Sequence, residues 1–354
     1  MTTEQCFLAL IRAGIKHPSG ELPEAIDWER MKALADEHGL SAVLWDAVDG
    51  LGMGRALPRE QRLDGFGTVL SYEKRYEAYQ DAIASLAKAY AARGLRMMVL
   101  KGYAISLDWP VPAHRPCGDI DIWLFGRYQE GDALLAQEYG VKVDGSHHHH
   151  TVFSWRGFSV ENHYDIVNVH AHRSSAALEK VFKELALDDG CSVEVGDARV
   201  YLPSADFHAL FLLRHAVSHF ASTRLKVRQV LDWAFFVEKH GGEIDWKWLL
   251  ETLDEYGMRG FYECLCAICV EDLGFDPAIF RMGVVDFALK ERVLNDILRP
   301  EFQGSEPRGL LRRVWFKFRR WRANAWKHRL CYRESLLSSF FVSVWAHLLK
   351  PSSI

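Results

Sequence analysis

Apolar residues recur with helical spacing over about the first 95 residues. Asp27 stands as a predicted N-cap before a short helix in which Met31, Leu34 and Ala35 share one face. A longer helical pattern covers residues 69–93 and ends at Gly94, a residue type that favours helix ends. The start of the chain is therefore predicted to be a set of helices.

Short apolar runs typical of β-strands replace this pattern in the middle of the chain. The runs cover residues 96–100, 119–125, 151–155, 158–166 and 192–202. Arg156 and Gly157 predict a hairpin between the third and fourth runs, and Gly196 and Asp197 split the last run, which predicts one strand or a second hairpin. A helix fits residues 128–139. The middle of the chain therefore predicts an α+β fold with a mixed or antiparallel sheet.

Helical spacing returns at Ser204, a predicted N-cap, and continues to about residue 298. The predicted helices cover residues 205–220, 224–239, 245–256, 259–273 and 286–298, and Asp245 caps the third of them. Gly304 and Pro307 mark a joint before one more helical pattern. We therefore divide the chain into an N-terminal helical region (1–95), a catalytic core (96–203), a helical domain (204–300) and basic amphipathic C-terminal helices (301–354).

Composition fits an ordinary globular protein of two or three domains, with 354 residues, 49% of them hydrophobic and 25% charged. The net charge of -4 does not indicate a nucleic-acid-binding protein, but residues 308–333 hold ten Lys or Arg and no acid.

No signal peptide is evident, and the longest apolar-rich stretch, 335–349, is too short and too polar for a membrane span. Seven scattered cysteines suit a reducing compartment, so we expect a cytoplasmic protein.

The candidate chemistry begins with two carboxylates in a predicted strand. Asp119 and Asp121 project from the same face because successive strand side chains alternate, while Ile120 and Ile122 point into the core. Two such close acids repel each other unless a cation lies between them, and oxygen ligands suit Mg²⁺ or Mn²⁺. A lone Asp-x-Asp is also typical of a solvent-facing strand end, so neighbouring residues must decide.

Three neighbouring features favour a phosphate and metal site. Gly118 precedes the acid pair and allows close backbone approach. Lys101 and Gly102 end an upstream strand just before a predicted helix that begins at Tyr103. A further acid, Glu161, follows on a later strand.

Three motifs carry a resemblance to a known family: Leu-Lys-Gly at residues 100–102, Arg-x-x-Gly-Asp-Ile-Asp-Ile at 115–122 and Glu-x-His at 161–163. They resemble the uncharacterised bacterial nucleotidyltransferase family of the DNA-polymerase-β superfamily. Helical motifs extend the resemblance over roughly residues 20–300. It implies a polymerase-β-type nucleotidyltransferase core with a mixed sheet, flanked by N-terminal helices and a C-terminal helical bundle.

The resemblance also implies residue roles. Asp119 and Asp121 would bind Mg²⁺ or Mn²⁺, and Glu161 would complete the metal site, with Asp165 as the alternative third acid. His163 would orient Glu161 or simply be a buried histidine.

Nucleotide contacts are expected around the Leu-Lys-Gly motif. Gly102 corresponds to the glycine of the superfamily's phosphate loop, and Gly118 adjoins the acids. Tyr103 stands where serine is usual, which leaves the triphosphate contact open. Lys101 and Arg115 are candidates for neutralising phosphate charge, although each is also typical of an ordinary surface or ion-paired residue.

The resemblance implies an enzyme that moves a nucleoside monophosphate from an NTP, by default ATP, to a hydroxyl or phosphate acceptor and releases pyrophosphate. The acceptor, a protein or a small molecule, is not given by the sequence. Two alternatives remain: an antitoxin-like protein that AMPylates a protein partner, and a non-catalytic partner-binding protein of the same fold. The basic tail leaves nucleic acid as a further possible partner.

Two other patterns have competing interpretations. The run His147 to His150 fits either an exposed loop or a transition-metal site, and we favour the loop. Cys264, Cys266 and Cys269 resemble metal-ligand spacing but lie in an apolar helical stretch, which favours a core helix.

Overall fold

The computed structural model describes residues 1–17, 22–23, 25–169, 172, 174–187, 191–302, 304 and 307–335. The apolar-rich stretch 335–349, part of the predicted C-terminal helices, falls almost wholly outside them. The helices are α1 Thr3–Gly14, α2 Trp28–His38, α3 Ser41–Gly50, α4 Arg59–Ala91, α5 Tyr103–Ser106, α6 Tyr128–Tyr139, α7 Ser175–Leu185, α8 Ala205–Ser222, α9 Val227–His240, α10 Trp246–Tyr256, α11 Arg259–Glu271, α12 Phe287–Leu298, α13 Leu310–Ala323 and α14 Ala325–Cys331. The strands are β1 Met98–Val99, β2 Ile120–Trp123, β3 His150–Trp155, β4 Phe158–His163, β5 Cys191–Val195 and β6 Ala198–Leu202.

The chain forms two compact units. One contains residues 69–208 and the whole sheet, and the other joins residues 1–68 to 209–335. The boundaries fall inside α4 and α8. The division into four regions stays a prediction.

The helical unit begins its helices where the sequence places caps. The Asp27 carboxylate accepts a hydrogen bond from the Arg30 N–H at the start of α2, and Asp245 does the same for Trp248 at the start of α10. Met31 is among the α2 residues buried against the core, together with Leu34 and Ala35. Both predicted caps and the buried face are confirmed.

The cysteines of α11 belong to the core of this unit. Cys264, Cys266 and Cys269 are each at most 1% exposed. Burial raises the pKa of the Cys264 and Cys266 thiols to about 12, so they remain protonated and behave as small apolar side chains. The core-helix interpretation is confirmed.

The second unit is built on a six-stranded sheet in the order β3-β4-β2-β1-β6-β5. β2 pairs in parallel with β4, and β1 pairs in parallel with β6, while the remaining pairs are antiparallel. The hairpin predicted around Arg156–Gly157 is present as β3–β4, and the last run forms a second hairpin, β5–β6 around Gly196–Asp197, and not a single strand. The mixed sheet confirms the predicted α+β class.

Helix α4 covers the sheet with its second half, where Tyr79, Ile83 and Leu86 are fully buried in the same core as Ile120 and Val160. The helix begins at Arg59, ten residues before the predicted start. Its first turns contain glycines that weakened the helical pattern, and a side chain at Gly65 would clash with the Trp45 indole. Close packing therefore explains a glycine that local propensity disfavours.

Among the described residues, no helix combines the length and the hydropathy that a bilayer-crossing helix needs.

Candidate active site

Two parallel strands bring two of the predicted acids together. β2 and β4 pair so that Asp121 lies directly opposite Glu161. His163 follows Glu161 by two residues on β4 and therefore projects from the same face. One ligand atom from each of Asp121, Glu161 and His163 lies within 4.8 Å of the other two. This pairing joins residues forty positions apart in the sequence.

Asp121 is the buried centre of this group. Its Oδ1 lies 2.8 Å from Lys101 Nζ and 3.1 Å from His163 Nε2, and the residue is only 1% exposed. Burial alone would raise the pKa of Asp121, but Lys101 and His163 outweigh it and hold that pKa well below its usual range. Asp121 is therefore a carboxylate near neutral pH.

His163 lies between the two acids. Its Nε2 is 3.6 Å from Glu161 Oε2 as well as close to Asp121, and its Nδ1 lies 3.2 Å from the Asp165 main-chain oxygen. Burial lowers the pKa of His163, but the hydrogen bonds to Asp121 and Glu161 raise it to about 9. These contacts with both acids favour the orienting role for His163 over that of a plain buried histidine.

Asp119 lies just before β2 with an exposed side chain. Asp119 does not belong to the group formed by Asp121, Glu161 and His163, but its charge interacts with the charges of that group. Although the residue as a whole is exposed, partial burial of its carboxylate raises the pKa of Asp119, and repulsion from Asp121 and Glu161 adds to the rise. The Tyr79 hydroxyl donates a hydrogen bond to the main-chain oxygen of Asp119 at 2.6 Å and fixes the backbone at Asp119.

Asp165 does not join these acids on the strand. β4 ends at His163, so the regular alternation that would align Asp165 with Glu161 stops before it. The Asp165 Oδ1 lies 2.5 Å from Lys183 Nζ instead. The geometry therefore favours Glu161 as the third acid.

The Leu-Lys-Gly motif forms a tight turn into α5. Gly102 has φ +54°, and a Cβ there would lie 2.6 Å from the Tyr79 hydroxyl, so any larger residue would be strained. Arg115 is buried, and its Nη1 donates to the Gly102 main-chain oxygen at 3.2 Å. Arg115 thus braces the turn through its guanidinium.

The other predicted nucleotide contacts differ in exposure. Tyr103 turns its ring into the core beside Tyr76, and Gln80 Nε2 donates to its hydroxyl at 3.4 Å. Only the Tyr103 backbone therefore borders the turn. Gly118 is exposed, and a Cβ on it would meet no described atom within 4 Å.

Two further histidines join the site, although the sequence favours a plain loop for them. His150 begins β3 directly opposite His163, and its Nδ1 lies 3.8 Å from Glu161 Oε2. The His149 ring centroid is 4.3 Å from that of His150 and 5.6 Å from that of His163. Burial lowers the pKa of His149 to about 3 and that of His150 to about 4. The run of four histidines in the sequence was the signal for these residues. Only the pairing of β3 with β4 shows that two of them lie beside His163.

The donor set suits a divalent cation. Asp121 Oδ2 is buried with no hydrogen-bond partner among the described residues, although buried carboxylate oxygens are normally satisfied. Carboxylate oxygens from Asp121 and Glu161 are the ligands that Mg²⁺ and Mn²⁺ prefer, and Mn²⁺ also accepts nitrogen. These residues could therefore hold a metal ion.

Comparison with known proteins gives a family but no characterised relative. No curated protein and no solved structure matches the chain. The sequence model of a family described as uncharacterised nucleotidyltransferase matches residues 24–274. This match spans both acid-bearing strands and well over half of the chain. The chain therefore belongs to this nucleotidyltransferase family.

Proposed function

We propose that this enzyme transfers a nucleoside monophosphate from an NTP, by default ATP, to a hydroxyl or phosphate acceptor and releases pyrophosphate. Family membership supports nucleotidyl transfer in general. The single observation that carries the finer proposal is the register of β2 and β4, which places Asp121 opposite Glu161 beside Lys101. Such a group has the charge and geometry to receive a divalent cation with a triphosphate.

Asp119, Asp121 and Glu161 are the proposed metal ligands, with Mg²⁺ or Mn²⁺ as the ion. A bound metal would polarise the α-phosphate and lower the pKa of an acceptor hydroxyl. Asp121 is held ionised by its neighbours, so it needs no deprotonation before binding a cation. Glu161 is partly exposed, which leaves it able to face an acceptor.

Lys101, Gly102, Tyr103, Arg115 and Gly118 are the proposed nucleotide contacts. The Lys101 ammonium balances the Asp121 charge and could turn towards phosphate oxygens once a cation replaces it. Gly102 and Tyr103 would offer backbone to the phosphates, and Arg115 would hold that backbone in place. Gly118 would leave open space beside the acids.

Label transfer tests the proposal directly. The protein would be incubated with α-labelled ATP and Mg²⁺ or Mn²⁺ in a cell extract, with binding of a fluorescent ATP analogue measured in parallel because the acceptor is unknown. We expect metal-dependent binding and label transfer, with transfer reduced about 100-fold or more in Asp121→Asn and Asp119→Ala. If the unaltered protein shows neither ATP binding nor label transfer, the proposal is wrong.

The same experiment separates the alternatives. Label on one co-purifying protein would indicate an antitoxin-like AMPylator, and label on a small molecule would exclude it. Metal-dependent ATP binding without transfer to any acceptor would indicate a non-catalytic partner-binding protein. Transfer to RNA, lost at higher salt and on deletion of residues 308–354, would indicate a nucleic-acid acceptor contacted by the basic tail. A cytoplasmic location fits any of these roles.

A further inference from the structure

We propose that His149, His150 and His163 form a transition-metal site, for which Zn²⁺ is the expected ion, beside the carboxylates. One ring nitrogen from each histidine lies within 4.8 Å of the other two. Ligands bound about 2.1 Å from one metal ion lie at most about 4.2 Å apart, so side-chain shifts of under about 1 Å would complete the site.

The backbone holds these three histidines in position. His150 and His163 face each other across the antiparallel β3–β4 pair, and their ring centroids are 5.2 Å apart. The main-chain oxygen of His149 accepts hydrogen bonds from Tyr164 N–H at 3.1 Å and from Asp165 N–H at 3.0 Å. Because main-chain bonds fix both ends of the cluster, the rings converge before any ligand binds.

Two of the ring nitrogens in this cluster are not hydrogen-bonded to any described residue. The Nδ1 atoms of His149 and His150 are buried and make no hydrogen bond within the part of the chain that the structure describes. His150 is only 7% exposed. A buried polar atom without a partner is destabilising, and coordination to a metal would satisfy both nitrogens at once.

The neighbouring charges and ligand types indicate which ions fit. Glu161 Oε2 lies 3.8 Å from His150 Nδ1 and 3.6 Å from His163 Nε2, so Glu161 can supply a fourth ligand and balance cation charge. Lys101 is paired with Asp121 and adds little net charge. Imidazole ligands favour Zn²⁺, Co²⁺ and Ni²⁺, whereas Mg²⁺ prefers oxygen ligands alone.

Co²⁺ binding to the full-length protein tests the site, because Co²⁺ replaces Zn²⁺ and absorbs visible light in a nitrogen-rich site. We expect His149→Ala and His150→Gln to weaken Co²⁺ binding at least about tenfold. His148→Ala is the matched control, since it shortens the same histidine run but lies outside the cluster. We expect it to change Co²⁺ affinity less than twofold.

Competition between metal ions can be measured on the unaltered protein, so this test does not depend on whether a variant folds. Zn²⁺ should displace Co²⁺, and a large excess of Mg²⁺ should not. Equal weakening by His148→Ala and His149→Ala would overturn the proposal, because it would show chelation by the histidine run as a whole. Displacement by Mg²⁺, or no loss of Co²⁺ affinity in His149→Ala and His150→Gln, would also overturn it. None of these readouts depends on nucleotidyl transfer, so the two proposals can fail separately.

Discussion

At the scale of single residues, the site depends on which acid completes the metal ligands. Glu161 shares a strand face with His163 and lies opposite Asp121, whereas the Asp165 carboxylate pairs with Lys183. Both are acids within one short segment, which makes them a matched pair for substitution. Their different surroundings give opposite expectations.

We expect Glu161→Gln to weaken Mn²⁺ binding at least about tenfold, because it removes a charged ligand. Asp165→Asn should change Mn²⁺ affinity less than about twofold, since its side chain contacts Lys183 instead. Titration of free Mn²⁺ by electron paramagnetic resonance measures both. The opposite ranking would assign the third acid to Asp165.

Gly102→Ala tests the turn that borders the site. The positive φ and the approach of the Tyr79 hydroxyl should together lower the free energy of unfolding by about 1–3 kcal/mol and weaken ATP binding. Gly118→Ala is the stability control, with an expected change below about 0.5 kcal/mol, because its Cβ meets open space.

A second substitution separates the two causes in this turn. Removing the hydroxyl with Tyr79→Phe should relieve the clash and leave only the backbone strain, so Gly102→Ala should cost less in that background. Thermal unfolding of the unaltered protein, the two single variants and the double variant measures the difference. An identical cost in both backgrounds would show that the Tyr79 hydroxyl does not restrict the turn.

At the scale of elements, α7 anchors the chain that leaves β4. The buried Glu179 carboxylate accepts the Ile166 N–H at 3.0 Å and the Val167 N–H at 2.9 Å. Burial raises the pKa of Glu179, while these two hydrogen bonds oppose the rise. A single side chain therefore satisfies two backbone donors just beyond the site.

Glu179→Ala should lower the free energy of unfolding by about 2–4 kcal/mol, because it leaves two buried N–H groups unpaired. Glu184→Ala on the same helix is the control, and we expect a change within about 0.5 kcal/mol because Glu184 is exposed. Denaturant unfolding compares them. Equal effects would show that α7 is stabilised by general packing and not by this contact.

At the scale of the whole molecule, the free energy of unfolding depends on pH through a buried histidine in the helical unit. His38 is fully buried, its Nδ1 accepts the Val227 N–H at 3.1 Å, and Arg224 Nη2 lies 3.3 Å from its Nε2. Burial, with the nearby Arg224 and Lys226 charges, lowers the pKa of His38 to about 3. Protonation would break the Val227 bond and place two cations together.

The sign of the pH effect follows from this lowered pKa. Between pH of about 3 and 6.5 the unfolded chain binds a proton at His38 that the folded chain does not, so stability falls as pH falls through this window. His38→Asn keeps an acceptor for the Val227 N–H and should reduce the slope by up to about 1.4 kcal/mol per pH unit. Unfolding measured from pH 4 to 7 compares the proteins; parallel slopes would exclude His38 as the cause.

The sequence by itself determined the local structure and the chemical type of the site. Caps such as Asp27 and Asp245 depend on neighbours a few residues away, so their pattern is readable without the fold. The predicted strand alternation around the acids fits less well, because β2 begins at Ile120 and leaves Asp119 just before the strand. Helix α7 was not predicted, although Leu178 and Phe182 carry its buried face.

Only the tertiary structure decided which distant residues meet. Strand register set Asp121 against Glu161 and ended β4 before Asp165, and the β3–β4 pairing carried His149 and His150 to His163. A one-residue shift in register would reverse every one of these faces, and local sequence does not set the register between β2 and β4. The assembly of one helical unit from both ends of the chain has the same origin, because packing joins residues that sequence proximity does not.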